Sequence, residues 1–117
     1  MKEREGIQRQ CLDLLLSLEQ KGYPVCAART NAGKVKTYDG YWVELCREGW
    51  ADITCLIAGS TYLLETKTKT GTKRESQKKM KELIEKCGGK YVFIRDIKVL
   101  RDILESGLGI DLKEVYK

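Results

Sequence analysis

Apolar residues recur at helical spacing near the start of the chain. Ile7, Cys11, Leu14, Leu15 and Leu18 share one side and Arg9, Asp13 and Gln20 the other, which predicts an amphipathic helix over residues 3–21. Gly22 and Pro24 end it. A short strand is expected at 25–29. The polar stretch 30–40, with Gly33 and Gly40, reads as a loop or hairpin connection, 41–46 as another strand and 47–50 as a turn. Two β-prone runs follow at 52–58 and 61–67, separated by Gly59 and Ser60, a pair suited to a two-residue hairpin loop.

Thr72 and Glu75 have the spacing of a capping box and open a helix that runs to Cys87, with Met80, Leu83, Ile84 and Cys87 on one face. Gly88 and Gly89 stop it. Residues 91–94 form a short apolar strand, and 97–105 an amphipathic helix carrying Val99, Leu100, Ile103 and Leu104. The pattern assigns no element to 107–117. A crossover helix between two strands implies a parallel pairing at the end of a mixed sheet. The expected fold is therefore a single α/β domain over 1–117, a mixed sheet flanked by helices.

Composition narrows the chemistry. At 117 residues, 42% apolar and 33% charged, the chain can bury a core without staples. It contains no histidine, which excludes serine–histidine and cysteine–histidine nucleophile pairs, histidine zinc sites and a histidine general base. Catalysis would have to rest on carboxylates, lysine, tyrosine, cysteine or a metal held by oxygen. Five cysteines without a CxxC pair support neither a zinc ribbon nor a redox motif, and in apolar runs they read as small hydrophobes. No apolar run is long enough to span a membrane, and the charged first residues do not resemble a signal peptide, so a cytosolic address is expected. The net charge of +5 favours an anionic partner, nucleic acid first.

With Gly59 and Ser60 as the loop, Ala58 faces Thr61, and the pairing runs on to Thr54 opposite Glu65 and Asp52 opposite Lys67. Asp52, Glu65 and Lys67 then project from one side of the sheet, the two carboxylates diagonal with Cβ atoms about 7 Å apart. Such a pair can share a divalent cation, and a lysine beside it can hold a phosphate oxygen or orient an attacking water. Glu65 interrupts the apolar run Tyr62, Leu63, Leu64, where a lone carboxylate is disfavoured unless paired or metal-bound. The structural alternative is an edge-strand ion pair between Glu65 and Lys67, with Asp52 merely in the turn.

The segments GWADI at 49–53 and YLLETK at 62–67, followed by Gln77 on the next helix, resemble the PD-(D/E)XK nuclease pattern and, more closely, its VRR-NUC (virus-type replication-repair nuclease) branch. Gly71 and the GGKYVFIRD stretch at 88–96 also fall in that branch's order, so the likeness covers nearly the whole chain. Ala51 stands where the family has a proline that shapes the turn. The resemblance implies a restriction-endonuclease-like core and a site in which Asp52, Glu65 and the Thr66 backbone carbonyl bind magnesium, or manganese in its place. Lys67 would stabilise charge at the scissile phosphate, and Gln77 would brace the site. It also implies an early-helix glutamate as a further ligand, Glu5 or alternatively Glu3. By residue type alone, Gln77 is equally an ordinary first-turn residue, and both glutamates are equally a solvated acidic helix start.

Seven basic residues lie between Lys67 and Lys81, and among them Lys69, Lys73, Arg74 and Lys78 are the candidate DNA contacts. A run of this kind is otherwise a solvated helix face. Arg29, Asn31 and Lys34 could add contacts from the early loop. Trp42, Trp50 and the tyrosines are expected to pack in the core, although their faces are also able to stack on bases. No helix carries an evident base-reading set, which points to structure-selective binding. The resemblance thus implies a metal-dependent endonuclease for branched DNA, Holliday junctions in particular, in phage or bacterial DNA processing. A homodimer would suit two symmetric cuts. The rivals are a related nuclease acting on flaps, ends or duplex, and a non-catalytic nucleic-acid-binding module.

Overall fold

A computed structural model describes residues 3–31, 33–68 and 70–117, with the side chains of all of these except 3–5, 44 and 45. The elements run α1 (Glu3–Gln20), β1 (Val25–Arg29), β2 (Gly33–Lys36), β3 (Trp42–Cys46), β4 (Ile53–Ile57), β5 (Ser60–Thr66), α2 (Glu75–Lys86), β6 (Lys90–Ile94), α3 (Ile97–Leu108) and α4 (Leu112–Val115). Four strands form a mixed sheet in the order β1-β4-β5-β6, antiparallel except for the parallel β5–β6 pair that α2 bridges. Strands β2 and β3 form a separate two-stranded sheet. No helix among the described residues is long and apolar enough to cross a membrane.

Alternation along the strands splits the core in two. Ile53, Cys55, Ile57, Leu64 and Ile94 face one way and pack with Cys11, Leu15 and Leu18 of α1 and Leu100 and Leu104 of α3. Leu63 and Tyr91 face the other way, against Ala51 and against Met80 of α2. The sheet is thus a filled layer between helices, α1 and α3 on one side and α2 on the other. The last residues, unassigned from sequence, supply α4, whose buried Leu112 joins the first core. The Leu112 amide donates to Glu105 (2.8 Å) and the Tyr116 hydroxyl to Ser17 (2.6 Å), which docks the end of the chain on α3 and α1.

Two sequence expectations need correction. The β4–β5 turn is Ala58–Gly59, not Gly59–Ser60, with both residues at positive φ (48° and 89°), as a type I′ hairpin requires. Ile53 therefore pairs with Leu64 and Ile57 with Ser60, and one further step along this register sets Asp52 opposite Glu65, not Lys67. The slip is two residues, so the face assignments survive it. This register sets the fully buried Ile53 and Leu64 directly side by side. The second correction concerns α2. It starts at Glu75, with Arg74 at the N-cap, and Gln77 caps it by accepting from the Arg74 N–H (3.1 Å). The Thr72–Glu75 box does not form.

Candidate active site

The polar interior is concentrated in one place. The buried polar and charged side chains among the described residues are Gln8, Asp52, Glu65, Thr66, Lys67 and Gln77. Hydrogen bonds join them in two groups, Gln8 through Asn31 to Asp52 and Thr66, and Gln77 to Glu65, and Lys67 adds an ion pair to Glu65. A small fold gains little from burying charge, and unmatched charges at strand ends would be costly. Here each group is held by named partners.

Asp52 is fixed from three sides. It lies just before β4, where its carbonyl accepts from the Thr30 N–H (2.8 Å) and extends the β1–β4 pairing by one step. Its carboxylate crosses the strand ends to β5 and accepts from both the backbone N–H (2.9 Å) and the hydroxyl (2.7 Å) of Thr66. Asn31, the residue after Thr30, donates its amide to the other carboxylate oxygen (3.1 Å). The Gln8 amide in turn donates to the Asn31 carbonyl oxygen (3.3 Å), linking α1 to the site. Beneath this, the Thr30 hydroxyl bonds the Ala51 carbonyl (3.0 Å) and the Thr54 hydroxyl (2.8 Å), and the Trp50 indole N–H donates to Thr54 (2.9 Å).

Glu65 is the inward carboxylate of β5, 4% exposed. Gln77 of α2 donates to its Oε2 (2.7 Å), and the Lys67 ammonium lies 3.7 Å from the same atom. The two ends of the Gln77 amide are thereby assigned: the oxygen accepts from the α2 N-cap and the nitrogen donates to Glu65. One side chain thus starts the helix and orients the carboxylate. Tyr91 adds a second brace. Its hydroxyl donates to the Gly49 carbonyl (2.8 Å), and burial, then the negative charges of Glu65 and Asp52, push its ionisation well above the ordinary phenol range. It stays a proton donor at any working pH.

Asp52, Glu65 and Gln77 open onto a cavity of about 490 Å³ that is also lined by Asn31, Lys34, Cys46, Trp50 and Arg74. Lys67 is not on that lining, and its ammonium is held beside Glu65. The structure therefore gathers Asp52, Glu65, Thr66, Lys67 and Gln77. The side chains of Glu5 and Glu3, like the whole of Lys69, lie outside the described residues. Among the described residues no three histidine, cysteine, aspartate or glutamate side chains group to hold an ion. The two carboxylates on one cavity wall are hard oxygen donors of the kind that could hold magnesium or manganese.

The basic run is not one stripe. Lys67 is 7% exposed beside Glu65, Lys73 covers the Phe93 ring at 4.5 Å, and Lys81 is held by Glu85 (2.8 Å) and the Tyr91 carbonyl (2.9 Å). Arg74 lines the cavity, Lys78 is exposed, and Lys79 lines a second groove with Arg47. Gln8 has no role in the sequence reading, and Asn31 appears there only as a loop contact. A signal for Gln8 was present: it continues the row Cys11, Leu15, Leu18, all buried, so a polar side chain falls on the core stripe of α1. The Thr66 hydroxyl carried no such signal. Comparisons with protein-family models, with curated proteins and with solved structures find no match to this chain.

Proposed function

We propose that the chain is a metal-dependent endonuclease of the PD-(D/E)XK superfamily, in its VRR-NUC branch, which hydrolyses phosphodiester bonds in branched DNA such as Holliday junctions. The observation that carries this reading is the pair of buried carboxylates Asp52 and Glu65 on the wall of one cavity, with Gln77 bonded to the Glu65 carboxylate and the buried Lys67 ammonium 3.7 Å from it. An edge-strand ion pair would need no cavity and no brace from a neighbouring helix.

Asp52 and Glu65 would hold magnesium or manganese, with the Thr66 carbonyl and Glu5 or Glu3 as further oxygen donors. When bound, the ion supplies Lewis-acid stabilisation of charge on the phosphoryl oxygens. The protein's own groups do the rest. Thr66 and Asn31 fix the Asp52 carboxylate in one rotamer, and Gln77 does the same for Glu65. Lys67, held 3.7 Å from the Glu65 carboxylate, would stabilise negative charge as it develops on the phosphate in the transition state. Lys34 and Arg74 on the cavity wall, together with Lys69, Lys73 and Lys78, would hold flanking phosphates. Paired cuts across a four-way junction call for two copies related by a two-fold axis, so the working form would be a homodimer.

The test uses end-labelled four-way junction and matched linear duplex, each with magnesium and with chelator, alongside light scattering of the protein on the junction. Symmetric, magnesium-dependent cuts in the junction by a dimer are expected, and Lys67→Ala should lower the rate by about 10²–10³-fold. Cleavage of duplex alone keeps the chemistry and moves the substrate. Metal-independent binding without any cut refutes the enzyme reading.

A further inference from the structure

No described side chain of β2 or β3 belongs to either core. Every residue of β2 is exposed, as are Trp42 (66%) and Tyr41 (70%), and Tyr38 at the tip is fully so. Core packing of these aromatics, expected from sequence, does not occur. A two-stranded ribbon is marginal in water by itself, and large aromatics on its surface add no packing that would offset this. The arrangement makes sense if the ribbon has a partner.

Its register indicates which kind. Lys34 pairs across from Glu44, and Lys36 from Trp42, so Lys34, Lys36, Trp42 and the register position of Glu44 share one face while Val35 and Val43 share the other. The root of the ribbon, with Gly33, Lys34 and Cys46, forms part of the cavity wall that holds Asp52 and Glu65. One face of the ribbon thus starts inside the cavity with a lysine. It continues outward to a second lysine and an exposed indole about 7 Å farther along the strand. Cations alternating with a flat aromatic suit a nucleic-acid strand, phosphates on the lysines and a base on the ring.

We propose that the β2–β3 ribbon is a finger for unpaired nucleotides. Trp42 stacks on a base that is not paired, and Lys34 and Lys36 hold the phosphates beside it, as the strand enters the cavity. The inference rests on the nuclease reading and narrows its substrate class to DNA with splayed or unpaired bases next to the cut. Base faces in continuous duplex are hidden in the stack. Stacking tolerates any base, so the finger selects structure and not sequence.

The test measures binding in chelator, by anisotropy, to a four-way junction with unpaired nucleotides at its crossover, a flap and a blunt duplex, and by quenching of 2-aminopurine at the unpaired positions. Parent, Trp42→Ala and Trp42→Phe proteins are compared, and equal urea midpoints serve as the check on folding. Trp42→Ala should weaken binding to DNA with unpaired bases about ten-fold or more and abolish the quenching, while Trp42→Phe retains most of both. Affinity for blunt duplex should be unchanged. Equal losses on all three DNAs, or no loss on any, overturn the finger. So does a parent dimer that falls to a monomer in Trp42→Ala, which would make the ribbon an interface between copies. A parent that cuts junctions as well as Trp42→Ala does leaves the nuclease standing without the finger. A parent that neither binds nor cuts any DNA removes both.

Discussion

Gln77 joins two tasks that local rules keep apart. Its oxygen satisfies the first free N–H of α2, and its nitrogen donates to a buried carboxylate. In Gln77→Glu the cap acceptor survives but the donor to Glu65 becomes a second negative charge. In Gln77→Ala both partners lose their bond. Burying an unsatisfied group costs about 1–3 kcal/mol, more where it is charged. Both variants should therefore lower the urea midpoint at neutral pH, Gln77→Glu by the larger amount because it sets a second negative charge beside Glu65. A Gln77→Glu protein with the parent's midpoint at pH 7 would show that the Glu65 contact carries no weight.

At the level of elements, the loop 47–50 is what brings the β4 entrance against α2. A Cβ on Gly49 would lie 2.4 Å from the Ser76 carbonyl oxygen, and Gly49 also has φ +85°. Gly59 shares the left-handed backbone (φ +89°) but has open space where its Cβ would go. Gly59→Ala should cost about 1 kcal/mol, from backbone strain alone. Gly49→Ala meets the same strain and must in addition push the loop off α2, disturbing the Tyr91–Gly49 bond and the cavity wall. Thermal unfolding should rank it clearly below Gly59→Ala. Equal melting temperatures would mean that the loop–helix contact gives way freely. The same geometry explains why a glycine stands three residues before Asp52: close approach to the helix, not contact with substrate, requires it.

For the whole molecule, the buried protons set an alkaline limit. Burial pushes the Cys11 thiol up to about 12 from 9.0, and burial with the neighbouring Cys11 does the same to Cys55. Tyr91 is raised from 10.0 as well. These groups are neutral when protonated, and above pH 9 the unfolded chain loses the thiol protons that the folded chain keeps. Their contribution is therefore complete below pH 9 and is lost as pH rises toward 12, at about 1.4 kcal/mol per pH unit for each group. Urea midpoints should be flat from pH 7 to 8.5 and fall above 9, and Cys11→Ala should flatten the fall between 9 and 10. An unchanged slope in that variant would remove the thiols from the account.

Periodicity alone determined most of the elements, the parallel β5–β6 pair, the two-sided sheet and the common face of Glu65 and Lys67. These follow from repeats of 3.6 and 2 residues, which are local and survive even the two-residue slip in the β4–β5 register. The start of α2 was misplaced because its cap is set by a distant carboxylate: Gln77 is drawn to Glu65, and the helix begins where that bond allows. Gln8 reaches Asn31 across a separation of 23 residues and Asn31 reaches Asp52 across 21, and no spacing rule spans such gaps. Aromatic residues were assigned to the core by their type, yet only packing could decide that Tyr91 goes inside and Trp42 stays out. Asp52, Glu65 and Lys67 were legible from sequence because strand alternation sets them on one face, whereas Gln77 was named through the family resemblance and Gln8 not at all. Their orientation was not legible, because the hydrogen bonds that hold them come from elements that meet only when the sheet and helices close around them.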